Sequence, residues 1–93
     1  MKATLNDHVI ADSDDIVQNG GYAYFPPTAT NLELLEKAPK NDSDRACPHG
    51  VQFYDVVIDG ERVKRAAWSY ESPRPSMEQV GGRFGFWHEV KVA

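Results

Sequence analysis

The sequence predicts a mostly β domain, α+β at most, in which compact antiparallel sheets built from hairpins fold over a small aromatic core, with one short helix near Ser76-Val80. Two observations carry that expectation. Turn-forming residues recur between short β-prone runs, at Asn6-Asp7, Asn19-Gly20-Gly21 and Asp59-Gly60, and such residues tolerate the positive φ angles that tight hairpin turns need. The chain also has no heptads, internal repeats or low-complexity tracts, so nothing in it organises long helices.

The first hairpin spans Lys2 to Ala11, with Ala3, Leu5, Val9 and Ile10 as its apolar positions and Asn6-Asp7 as its turn. The acidic run Asp12-Ser13-Asp14-Asp15 holds too little apolar content for a strand and is expected to be a solvated turn. Ile16-Val17-Gln18 and Tyr22-Ala23-Tyr24-Phe25 form a second hairpin, which Pro26-Pro27 ends because proline donates no ladder hydrogen bond. Over Asn31 to Lys37, Leu32, Leu34 and Leu35 fit a helical turn and a strand equally well. The flanking prolines and short length favour a strand. Pro39 to Arg45 has few apolar anchors and is expected to be a polar connection, the most mobile part of the chain.

Cys47-Pro48-His49-Gly50 turns the chain into its longest hairpin, Val51 to Tyr70. If Asp59-Gly60 is a two-residue type I′ turn, counting outward sets the register. Ile58 then faces Glu61, Val57 faces Arg62, Val56 faces Val63, Asp55 faces Lys64, Tyr54 faces Arg65, Phe53 faces Ala66 and Val51 faces Trp68. Favourable cross-strand pairs of these kinds contribute roughly 0.2–1 kcal/mol each. Ser72-Pro73-Arg74-Pro75 breaks the strand, Ser76 with Gln79 matches a capping box, and Gly81-Gly82 closes the short helix. Arg83 to Val92 returns to alternation as a final strand, with Phe84, Phe86, His88, Val90 and Val92 on one side.

Ninety-three residues, 41% hydrophobic and 11% aromatic, suffice for one domain with a compact core. A net charge of −4 lacks the basic footprint of phosphate neutralisation, so no nucleic-acid partner is expected. One cysteine makes no internal disulfide, and no signal-like or membrane-length apolar run occurs. A soluble cytoplasmic protein with no membrane partner, a monomer or weak homodimer, is the expectation.

Several segments recur in a familiar order and spacing. They are the Asn6 turn before Val9-Ile10-Ala11, Tyr24-Phe25-Pro26-Pro27, Cys47-Pro48, Tyr54-Asp55-Val56-Val57-Ile58-Asp59-Gly60, Ala66-Ala67-Trp68-Ser69-Tyr70 and Phe86-Trp87. In them the chain resembles the bacterial and fungal domain-of-unknown-function family 427 along nearly its whole length. That family is sometimes labelled nucleotidyltransferase-like. Nucleotidyl transfer uses carboxylates that hold a divalent metal beside a triphosphate, with backbone or basic groups cradling the phosphates. Here Asp12, Asp14 and Asp15 share an expected turn and no Gly-rich phosphate loop occurs, so the motifs do not support that activity. The chain also departs from the family pattern. His49-Gly50 stands where the family has an aromatic residue, a lysine and a glycine, and Thr28 to Asn31 replace a segment in which a lysine is common.

Cys47-Pro48-His49 allows two chemical readings. A metal site needs further ligands, and only His8 and His88 remain, with no second cysteine, so no metal and no cofactor is expected. As catalytic candidates, Cys47 and His49 would form a nucleophile and its base; the alternative is a buried thiol filling a corner. Trp68, Tyr70, Tyr24, Tyr54, Phe86 and Trp87 either line a pocket or fill the core, the polar tips of Tyr24, Trp68 and Tyr70 suiting a rim. Arg62, Lys64 and Arg65 are a solvated strand face balanced by Asp55 and Glu61, or an anion site. The functional expectation is a small ligand-binding domain whose pocket gathers Tyr24, Cys47, His49, Trp68 and Tyr70 around a small molecule. The alternatives are a small enzyme using Cys47 or a tyrosine with a histidine, and an interaction module that pairs through a strand edge.

Overall fold

Each of the three turn sequences folds as its residues require. The computed structural model describes residues 1–93, and φ is positive at both central positions of Asn6-Asp7, Gly20-Gly21 and Asp59-Gly60. The first turn joins β1 (Lys2–Leu5) to β2 (His8–Asp12), the second joins β3 (Val17–Asn19) to β4 (Tyr22–Tyr24), and the third joins β6 (Val51–Ile58) to β7 (Glu61–Tyr70). Between them lie β5 (Leu35–Lys37) and α1 (Asp42–Ala46); β8 (Phe84–Phe86) and β9 (Lys91–Val92) end the chain. All strand pairs are antiparallel, in a sheet β2-β1-β9, a ribbon β3-β4 and a sheet β5-β6-β7-β8. The mostly β class is as expected.

The long hairpin keeps the expected register only near its turn. Ile58–Glu61, Val57–Arg62 and Val56–Val63 pair as counted, after which the register slips by two residues. Tyr54 faces Ala67, Phe53 faces Trp68 and Val51 faces Tyr70, in place of the expected partners Arg65, Ala66 and Trp68; Asp55 does not pair with Lys64. The cause is a bulge in β7. Arg65 sits at φ 54°, and its N–H donates to Asp55 Oδ1 at 3.0 Å, so a side chain takes the place of a ladder bond.

Four other expectations are corrected. Pro39 to Arg45 is not a featureless connection, because Asn41 and Asp44 form a reciprocal capping box that starts α1. Ser76 caps nothing: Pro75 opens a 3₁₀ helix, Pro75–Val80, so Ser76 lies inside it and Arg74 holds the cap position without a side-chain bond. The final strand is two strands, since His88 at φ 59° turns the chain between β8, which pairs with β7, and β9, which pairs with β1. The strand expected over Asn31 to Lys37 is confined to β5, because Leu32–Leu34 takes a 3₁₀ turn before it.

Two apolar clusters result. The larger joins β1, β2 and one face of the β6-β7-β8 sheet around the fully buried Phe25, Ile10 and Val56. The smaller lies on the opposite side, around Tyr24, Val51, Trp68 and Val80. No helix is long and apolar enough to cross a membrane.

Candidate functional site

Trp68 is the centre of the smaller cluster, and its pose follows from what stands opposite it. Past the bulge, successive residues of β7 face opposite sides, so Ala67 enters the larger cluster while Trp68 turns to the other. On β8 its partner is Gly85, where an added Cβ would stand 2.6 Å from Trp68 Cζ2. The indole therefore lies against bare backbone.

Three further elements bring aromatic rings to it. Trp87 follows β8, held by its own N–H to the Ala66 carbonyl at 3.0 Å and by its indole N–H to the Arg65 carbonyl. Its ring centroid lies 4.9 Å from that of Trp68, and it stacks on Phe53 at 5.7 Å and 20°. From the β3-β4 ribbon, Tyr22 meets Trp68 edge-on at 4.9 Å and 86° and Trp87 at 6.3 Å and 77°. Tyr24 meets Trp68 at 6.0 Å and 86°, and its Oη accepts from Trp68 Nε1–H at 3.4 Å. Tyr70, at the end of β7, and Met77, on the 3₁₀ helix, close the far side. Between these side chains, Asn19 and Gly20 an open pocket of about 240 Å³ remains, with no charged side chain in its wall.

The bulge supports this arrangement from behind. Arg65 places its guanidinium 4.1 Å over the Phe53 ring and forms a two-bond ion pair with Asp44, at 2.8 and 3.0 Å, while its carbonyl receives the Trp87 indole. Burial pushes the Asp55 carboxyl up, but the Arg65 N–H and the Arg62 guanidinium outweigh it and hold it below the ordinary carboxylate range. For Asp44 the bonds from Arg65 dominate over burial, with the same result. Burial pushes the Tyr70 hydroxyl up to about 12, with Tyr24 and Cys47 nearby adding to the shift.

The model of a family described as a domain of unknown function, DUF427, matches residues 1–93. The chain belongs to the DUF427 family. No curated protein matches it.

In this DUF427 chain the five residues expected at a ligand site divide. Tyr24, Trp68 and Tyr70 line the pocket, whereas Cys47 and His49 stand behind the Tyr70 wall. Cys47 is half-buried and ends α1, its N–H donating to the Asp44 carbonyl at 3.2 Å. His49 packs edge-on against Tyr70 at 5.7 Å, and its Nδ1 accepts from the Arg74 N–H at 3.0 Å. Trp87 lines the pocket too, but Tyr54 and Phe86 belong to the larger cluster, against Phe84 and Phe25. Tyr22, Phe53 and Met77 also line the pocket, although the sequence pointed to none of them as site residues. Tyr22 had a signal, since it lies two residues from Tyr24 on one strand and so shares its face.

No group of three or more His, Cys, Asp or Glu side chains gathers to hold a metal. His8 instead meets Asp59 at 3.0 Å, and Asp15 of the acidic run meets Arg83 at 3.1 Å. Two members of the basic cluster are taken up by carboxylates, Arg62 by Asp55 and Glu36 and Arg65 by Asp44.

Proposed function

We propose that this chain is a small-molecule-binding domain whose site is the aromatic pocket over Trp68. The observation that supports this reading is the convergence of large aromatic side chains from separate elements that stop short of closing. Tyr22 is left 39% exposed beside a buried Trp68, whereas rings in a core of this size gain by sealing against one another. A mainly apolar wall with a few polar tips, here the hydroxyls of Tyr24 and Tyr70 and the amide of Asn19, is the ordinary composition of a ligand pocket. Cys47 and His49 enter this reading as the backing of the Tyr70 wall. The partner is a small molecule rather than nucleic acid, consistent with the net charge of −4 and the paired arginines. The single free thiol suits a reducing, cytoplasmic setting, and the chain is taken to act as a monomer or weak homodimer.

Both tryptophans border the pocket, so their indole N–H resonances report occupancy directly. A screen of metabolites, nucleotides and fragments should move the Trp68 and Trp87 signals together for at least one chemical class. A screen that leaves both unmoved, or whose hits all perturb residues elsewhere, removes the basis of the proposal.

A further inference from the structure

We propose that the pocket receives the methylated ammonium head of an organic cation, either free or carried on a lysine side chain. This rests on the pocket reading above and assigns its ligand class. Three rings, Tyr22, Trp68 and Trp87, stand as walls at steep mutual angles, 86°, 77° and 57°. Such a corner offers one compact cationic head the aromatic surfaces of Tyr22 and Trp68, backed by Trp87, whose ring stacks on Phe53 at 5.7 Å and lies 4.7 Å from that of His88. A flat heterocycle would need two near-parallel rings with space between them. The near-parallel pair in this wall, Phe53 and Trp87, is already in contact with itself at 5.7 Å.

Charge and solvation narrow the class further. The wall holds no basic group to meet a phosphate or carboxylate, and the net charge of −4 favours the approach of cations. An unmethylated ammonium would bury three N–H donors among few acceptors, and the Tyr24 hydroxyl already receives the Trp68 indole N–H. Methylation removes those donors and leaves a weakly hydrated charge that ring faces satisfy. The volume, about 240 Å³, exceeds that of a cavity of roughly 150 Å³ known to hold one benzene, so a trimethylammonium group fits.

The test titrates the protein with choline, with its uncharged carbon isostere 3,3-dimethylbutanol and with indole, following the Trp68 and Trp87 indole resonances. Choline should bind about tenfold more tightly than the isostere. Tyr22→Leu should weaken choline at least tenfold, while Tyr22→Phe, which keeps the ring, should retain it. Peptides bearing trimethyllysine or unmodified lysine identify the source: a methylated peptide that outbinds choline points to a modified protein, and the reverse to a free metabolite. If the isostere or indole matches choline at the same resonances, the pocket stands and the cation class is overturned. If none of these probes moves either indole, the cation class is likewise overturned, and the pocket reading falls with it only when the broader screen is also silent.

Discussion

At Gly85 the missing side chain is what lets the Trp68 indole rest on β8, where a Cβ would come within 2.6 Å of Cζ2 and 2.7 Å of Cε2. Neither atom belongs to a flexible chain end, so Gly85→Ala should displace the indole and destabilise the fold by about 1–3 kcal/mol. Thermal melts and tryptophan emission check this; an unchanged midpoint with unchanged emission would contradict the packing described. Tyr70 supplies a second expectation. Its hydroxyl titrates near about 12 rather than the ordinary 10.0, so the folded state favours the proton. The stability it contributes is full below pH 10 and is lost as pH rises toward 12. Ultraviolet titration of the tyrosines should show a late step that Tyr70→Phe deletes. Residue chemistry of this local kind was partly legible in the sequence. Tyr24, Trp68 and Tyr70 announce themselves by their polar tips, but which rings share a face depends on a register that the sequence alone did not give correctly.

The register failed at one element, the bulge in β7, because counting outward from Asp59-Gly60 assumes one residue against one. Asp55 breaks that rule by accepting from the Arg65 N–H, and Asp44 then fixes the Arg65 side chain from α1, 21 residues earlier. Pair chemistry within a turn is visible in a short stretch of sequence, whereas an ion pair across that separation is not. For the same reason Pro39 to Arg45 read as a bare connection: its anchor is a carboxylate, and apolar patterning cannot see one. Asp44→Asn should cost roughly 2–4 kcal/mol, toward the lower end because Arg65 remains one-third exposed. The pH dependence has a definite sign. Asp44 and Asp55 hold their protons less tightly when folded, so their contribution is present above the usual carboxylate range and lost as pH falls below about 4. The acid limb of a stability profile should therefore be shallower in Asp44→Asn than in the parent chain. Parallel limbs would show that the clamp contributes nothing.

Across the whole molecule, the two apolar clusters lie on opposite sides of one hairpin, with Ala66 and Ala67 in the larger and Trp68 in the smaller. Neither cluster can open without β7, and the β1–β9 pairing ties the two ends of the chain together, Lys2 N–H to the Ala93 carbonyl at 2.7 Å. Unfolding should be all-or-none: tryptophan fluorescence, which reports only the smaller cluster, should superimpose on backbone circular dichroism through a urea titration. Separated midpoints would mean that the β3-β4 ribbon and its rings detach first. The fold class was legible because three hairpin turns declare it locally; the division into two clusters was not, since which β7 residues face which side depends on the register slip at the bulge. The contact between the two tryptophans has one more consequence. Indoles with centroids 4.9 Å apart and planes 57° apart are close enough to couple their transition dipoles, so near-ultraviolet dichroism should show an exciton contribution that Trp87→Phe removes. A ligand that shifts either ring changes that contribution, so the pocket carries its own optical reporter without a label.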